Sequence, residues 1–159
     1  ITLGDATDTD NWPCAPIDFV YSEDVFEHIP RDILPQLCSR MASGLSRNGV
    51  ALIKPVVYTG IQGGHSVEYY NLSPERPRKC PPWDHLRDNR FPANTYLNRM
   101  SLQDYRDFFS KDFEILEESI CHPDSGRTFM TDAIREELSG WSDEELFSNK
   151  VRFVLRARA

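Results

Sequence analysis

The chain has 159 residues, 40% of them hydrophobic and 27% charged, with 25 acidic against 18 basic side chains and a net charge of −7. That composition fits a globular domain and excludes low-complexity, collagen-like or wholly disordered chains. The acidic balance offers no basic face, so no nucleic-acid partner is expected, and no apolar run nears the roughly 20 residues of a membrane span.

In chain order, Ile1–Leu3 reads as a strand end followed by Gly4-Asp5-Ala6, and the polar stretch from Thr7 to Pro16 reads as a loop. Ile17-Asp18-Phe19-Val20-Tyr21 is a compact run of the kind a buried strand gives, and it stops at Ser22-Glu23-Asp24. After Val25-Phe26-Glu27-His28-Ile29 and Pro30, a helix is predicted from about Arg31 to Ser46. Ile33, Leu37, Met41 and Leu45 recur every four residues and give it one broad apolar face, and Pro35 is tolerable in its first turns. Asn48-Gly49 is expected to supply a positive φ after the helix, ahead of a strand over Val50–Val57.

Residues 58–99 break the pattern. They hold five prolines, three glycines and Trp83, with six basic side chains against four acidic ones and no clear periodicity. A stretch this long is functional or disordered, and its aromatic content argues for order. It reads as an inserted segment lying over one end of the sheet.

Regularity returns at Ser101, a cap with Asp104 three residues on, for a helix whose apolar face carries Leu102, Tyr105, Phe108 and Phe109. A strand runs from Phe113 to about Ile120. Thr131 caps a helix with Ile134 and Leu138, and Ser142-Asp143-Glu144-Glu145 is a capping-box pattern before Leu146-Phe147. The final run, Val151–Ala157, alternates as an edge or antiparallel strand does. The aromatics Tyr105, Phe108, Phe109, Phe113 and Phe153 are assigned to the core. Strands alternating with helices predict an α/β fold with a parallel sheet.

Cys14, Cys38, Cys80 and Cys121 include no CxxC pair, so free thiols and a cytoplasmic location are expected. A zinc site from Cys80, His85, Cys121 and His122 matches no ligand spacing, and no metal is expected.

Asp18-Phe19-Val20-Tyr21-Ser22, Val25-Phe26-Glu27-His28-Ile29, and Leu45-Ser46-Arg47-Asn48-Gly49 before Val50-Ala51-Leu52-Ile53 together resemble class I S-adenosylmethionine-dependent methyltransferases of the type 11/23-like subgroup. Gly4-Asp5-Ala6 resembles that family's acidic motif after its third strand. Gly63-Gly64-His65, Trp83-Asp84-His85-Leu86 and Tyr96-Leu97-Asn98 are similar to the inserted segment of bacterial members associated with glycan pathways. The glycine-rich loop after the family's first strand is absent, and Arg47-Asn48-Gly49 stands where Pro-Gly-Gly is usual.

The resemblance implies one domain over residues 1–159: the C-terminal part of a partial Rossmann-like, seven-stranded sheet. It would supply strands four to seven and their helices, the last strand antiparallel, with residues 58–99 as a lid or substrate segment after strand five. S-adenosyl-L-methionine is the implied cofactor, held by Asp5, Ala6, Ser22 and Glu23. Glu27 and His28 are the implied catalytic pair, with His28 either a proton acceptor or a pocket-shaping histidine. His65, Trp83, Asp84 and His85 are candidate substrate residues, though Trp83 is expected mainly to anchor the loop. Arg76, Arg78, Lys79, Arg87 and Arg90 could hold an anionic acceptor group or form a solvated loop. The implied activity is O-methylation of a small-molecule or glycan-linked acceptor. Because the chain opens at Ile1 without the glycine loop, it is expected to be a fragment that binds the cofactor poorly by itself, with an unpaired apolar edge at Ile17–Tyr21. Two other classes fit the residues: a non-catalytic interaction module on the same fold, and a metal-assisted hydrolase using His28, His65 and His85.

Overall fold

The computed structural model describes residues 4–6, 8, 11–14 and 16–158; the expected strand end at Ile1–Leu3 lies outside them. Four strands form one sheet: β1 (Ile17–Glu23), β2 (Leu45–Lys54), β3 (Phe113–Ile120) and β4 (Val151–Ala157), in the spatial order β1-β2-β4-β3. β1 and β2 are parallel, with Val20 opposite Ala51 and Ser22 opposite Ile53. The link between them is α1 (Leu34–Gly44), the crossover that a parallel pair requires. β4 is antiparallel to both β2 and β3. The sheet is thus the predicted α/β arrangement with an antiparallel last strand, but β4 lies inside it and not at its edge.

Two further boundaries differ from the sequence reading. α1 begins at Leu34, after a turn over residues 31–33, with Pro35 in its first turn. β2 begins at Leu45, directly after α1, so Asn48-Gly49 lies within the strand and neither residue has a positive φ. The pairing register with β1 shifts between Ile17 and Phe19 to take up the extra length. Glycine is needed at 49 for another reason: a Cβ there would stand 2.6 Å from the Ile17 carbonyl oxygen.

One face of the sheet carries the core. Ala51, Ile53, Val151, Phe153 and Leu155 pack against Leu34, Leu37, Cys38 and Met41 of α1 and against α2 (Leu102–Phe109). Phe109 is the hub, with ring centroids 5.1 Å from Phe153, 5.7 Å from Phe26 and 5.9 Å from Tyr105. Of the predicted core aromatics only Phe108 stays partly exposed. Alternation along β1 sends Phe19 and Tyr21 to the other face, where both are more than half exposed. Among the described residues β1 has no partner on its outer side.

Residues 58–99 are ordered without strands, and contain single helical turns at Val67–Tyr69 and Asp84–Leu86. They bury Ile61, Tyr69, Cys80 and Trp83 in a second core with Ile134 and Leu138, from the region of α3 (Asp132–Glu137), and with Leu146 and Phe147 of α4 (Asp143–Phe147). The insertion therefore has a hydrophobic anchor of its own, which holds it fixed beside the sheet.

The capping predictions hold for α2 and α3. Ser101 and Asp104 form a reciprocal capping box, and the Thr131 hydroxyl accepts from the Ile134 N–H. At α4 only half the box forms: the Ser142 hydroxyl accepts from the Glu145 N–H. The Glu145 carboxylate turns to α2 instead, where it accepts from the Leu102 and Gln103 N–H groups, both at 2.9 Å.

Candidate active site

β1 ends at Glu23, and the chain turns at Asp24 in the left-handed region, φ 55°. It then makes one helical turn, Phe26–His28, whose Phe26 and Glu27 are buried. Asn98, from the far end of the insertion, pins this turn. Its amide donates to the Phe26 and Ile29 carbonyls, and its N–H donates to the Glu27 carbonyl. Ligands of α/β sheets bind outside the carboxyl ends of strands, and this turn occupies that place.

Glu27 is 3% exposed, and neither carboxylate oxygen has a partner in hydrogen-bonding geometry. Burial pushes its carboxyl above the usual carboxylate range, partly offset by nearby backbone amides and by His28. His28 Nδ1 lies 2.9 Å from the Tyr96 carbonyl oxygen. A carbonyl only accepts, so Nδ1 carries a proton, which leaves the lone pair of the neutral imidazole on Nε2. His65 meets the His28 ring edge-on at 4.9 Å, and its buried Nε2 has no partner. Burial, and then His28, push the His65 imidazole below its ordinary range. The structure thus brings three predicted residues, Glu27, His28 and His65, into one cluster.

Beside this cluster is a cavity of about 370 Å³, lined in part by Tyr58, Gly64, His85, Tyr96 and Arg99. The cavity approaches the cluster through Gly64, the residue before His65, and through Tyr96, whose carbonyl holds His28, while Glu27, His28 and His65 do not themselves line it. Gly64 allows the insertion to close on itself: a Cβ there would stand 2.6 Å from the His85 ring. His85 Nε2 donates to the Tyr58 carbonyl at 2.8 Å, and burial lowers the imidazole to about 4, so it is a neutral wall of the cavity.

The other predicted residues are placed elsewhere. Trp83 is fully buried edge-on to Phe147, so its indole anchors the insertion and exposes no stacking face. Asp84 is buried and accepts from the Phe91 N–H, a loop-fixing role. The Tyr21 hydroxyl, and then Lys150 at 3.2 Å and Lys54 at 3.7 Å, lower the Glu23 carboxyl. Ser22 is half-buried at the strand end, and Asp5 and Ala6 lie in an exposed turn whose Ala6 carbonyl accepts from the Trp12 indole. Arg78 bonds four backbone carbonyls and stacks on Phe129, while Arg87 pairs with Glu137 and Arg90 with Asp88. Each of these three has an internal partner. The sequence reading gave no site role to Tyr58, Asn98 and Arg99, because only the fold of the insertion carries Asn98 to the turn after β1 and Tyr58 and Arg99 to the cavity.

No family model and no curated protein matches the chain. Solved structures do. The chain is similar to an S-adenosylmethionine-dependent methyltransferase from Clostridium acetobutylicum, with TM-score 0.55 and 12% identity over 98% of this chain and 63% of that one. It is also similar to a SAM-dependent methyltransferase from Archaeoglobus fulgidus, with TM-score 0.53 and 12% identity over 98% and 66%. A third similar structure, with TM-score 0.51 and 15% identity over 97% and 53%, is of a protein solved for the conversion of a disulfide bond into a thioacetal group during echinomycin biosynthesis. The fold is that of class I S-adenosylmethionine-dependent methyltransferases. The chain spans less than two thirds of the length of each of these structures.

Proposed function

We propose that the protein is an S-adenosylmethionine-dependent methyltransferase that methylates an oxygen of a small-molecule or glycan-linked acceptor. The observation that carries this reading is the Glu27–His28 turn at the carboxyl end of β1, in a sheet of order β1-β2-β4-β3 whose fold is similar to solved S-adenosylmethionine-dependent methyltransferases. The donor set suits the cofactor in kind. Asp5 and Ser22 offer oxygens to its amino groups, whereas the charge of Glu23 is already met by lysines. When bound, S-adenosyl-L-methionine supplies the activated methyl group.

The residues of the chain then position the acceptor and receive its proton. The Tyr96 carbonyl holds the neutral His28 imidazole in the tautomer whose Nε2 can accept the hydroxyl proton as the oxygen attacks. The partnerless Glu27 carboxylate beside it would stabilise the resulting imidazolium. Tyr58, His85 and Arg99 wall the acceptor cavity, and Arg99 suits an acceptor that carries an anionic group. The 58–99 segment acts as the substrate wall. Four unpaired cysteines support a reducing, cytoplasmic setting, and no helix among the described residues is long and apolar enough to cross a membrane.

The test is calorimetric binding of S-adenosylmethionine and of its demethylated product to the full-length protein. Saturable binding, weakened about tenfold by Asp5→Ala, about 1.4 kcal/mol, is expected. Absence of binding to both would overturn the reading and favour an interaction module.

A further inference from the structure

We propose that Glu27, His28 and His65 form a binding site for one divalent transition-metal ion. One ligand atom from each residue lies within 4.8 Å of the other two. The ligand types are two imidazoles and one carboxylate, a set that suits Zn²⁺, Mn²⁺, Fe²⁺ or Co²⁺ more than Mg²⁺ or Ca²⁺.

Three independent observations point at an absent cation. The Glu27 carboxylate is 3% exposed, and although the backbone amides of Glu27 and Val56 lie near it, neither oxygen has a partner in hydrogen-bonding geometry, where a buried carboxylate normally accepts several bonds. His65 Nε2 is also buried without a partner. The Tyr96 carbonyl fixes the His28 tautomer from behind, which is the arrangement that orients a metal-ligating histidine. His65 holds φ 53°, a conformation unfavourable for a non-glycine residue, and such strain is retained where the surroundings enforce it.

Bonds of about 2.1 Å put neighbouring ligand atoms roughly 3 Å apart, so the cluster must contract by rotation of its side chains on binding. Three protein ligands leave coordination positions open, as in reactive metal centres. A bound ion would take the Nε2 lone pair of His28, so proton acceptance by His28 and metal ligation are alternative states of the same imidazole. The site itself needs no cofactor, and its occupancy is read without turnover.

The experiment is titration of the chelator-stripped protein with Co²⁺, followed by visible absorption and by calorimetry. One ion per chain is expected, with d–d bands and without the thiolate charge-transfer band that Cys14 or Cys121 would give. Glu27→Gln keeps the buried shape, and His65→Asn keeps a residue type that accepts a left-handed backbone. Each should weaken binding at least about tenfold while near-ultraviolet circular dichroism stays native. No saturable binding, a thiolate band, or an affinity unchanged in both variants would overturn the proposal. S-adenosylmethionine is absent from this titration, so failure here leaves the methyltransferase reading standing, and failure of that reading leaves this result interpretable.

Discussion

Glu145 offers a sharp test of how the two cores are joined. Its carboxylate accepts from the Leu102 and Gln103 N–H groups, each at 2.9 Å, and from the Thr59 hydroxyl at 2.6 Å. Ser101 satisfies the next N–H, that of Asp104, at 3.0 Å. The first turn of α2 is thus capped by two side chains, one of them from α4. Glu145→Ala removes an N-terminal cap worth about 1 kcal/mol. It also leaves the N–H of fully buried Leu102 unpartnered, a cost of about 1–3 kcal/mol. Thr59 loses least, because the Glu145 carbonyl, 3.1 Å away, remains as an acceptor. Together these put the loss at about 2–4 kcal/mol. Urea unfolding followed by tryptophan fluorescence reads it directly, since Trp83 is buried in the second core. Glu145→Gln, which keeps one acceptor oxygen, should lose about half as much. Combining Glu145→Ala with Thr59→Val should cost less than the sum of the two, because the residues share a bond. A loss below about 0.5 kcal/mol for Glu145→Ala, the range of an ordinary surface substitution, would refute the long-range cap.

Two further outcomes are expected. His85 is held near 4 in the fold against an ordinary 6.5, so below pH 6.5 the unfolded chain takes up a proton that the folded chain refuses. Stability should therefore fall as pH drops from 6.5 towards 4, by up to about 3 kcal/mol from this group. Glu27, raised in the fold, acts in the opposite sense, so the comparison of wild type with His85→Gln isolates the histidine; identical urea-midpoint profiles against pH would show the assignment to be mistaken. On β1, Phe19 is 55% exposed on a strand whose outer edge is unpaired among the described residues. Phe19→Lys should reduce self-association in sedimentation velocity while changing stability by less than about 0.5 kcal/mol, and an unchanged sedimentation profile would mean that this edge is not sticky.

Much of the architecture was legible along the chain because it depends on near neighbours. The four-residue spacing from Leu37 to Met41 placed α1, and Ser101 with Asp104 placed the start of α2, since a cap and its targets lie within one turn. The Glu27-His28 pair and the strand before it were likewise readable as a motif. Boundaries slipped where a distant partner decided them. β2 starts at Leu45 because pairing with Ile17 extends it, which overrides the turn preference of Asn48-Gly49. Glu145 left its own helix because α2 offered it two backbone N–H groups, and Trp83 lost any substrate face because α4 supplied Phe147 to pack on.

The sequence by itself determined that this is an α/β chain with a histidine and a carboxylate just after the end of a strand, because periodicity, capping and strand composition act over a few residues. Only the tertiary structure decided that β4 lies between β2 and β3, and that His65 from the insertion stands beside Glu27 and His28. Both depend on contacts between segments far apart in sequence. Those contacts form when burial of Trp83, Tyr69 and Ile61 anchors the insertion, which no local pattern records.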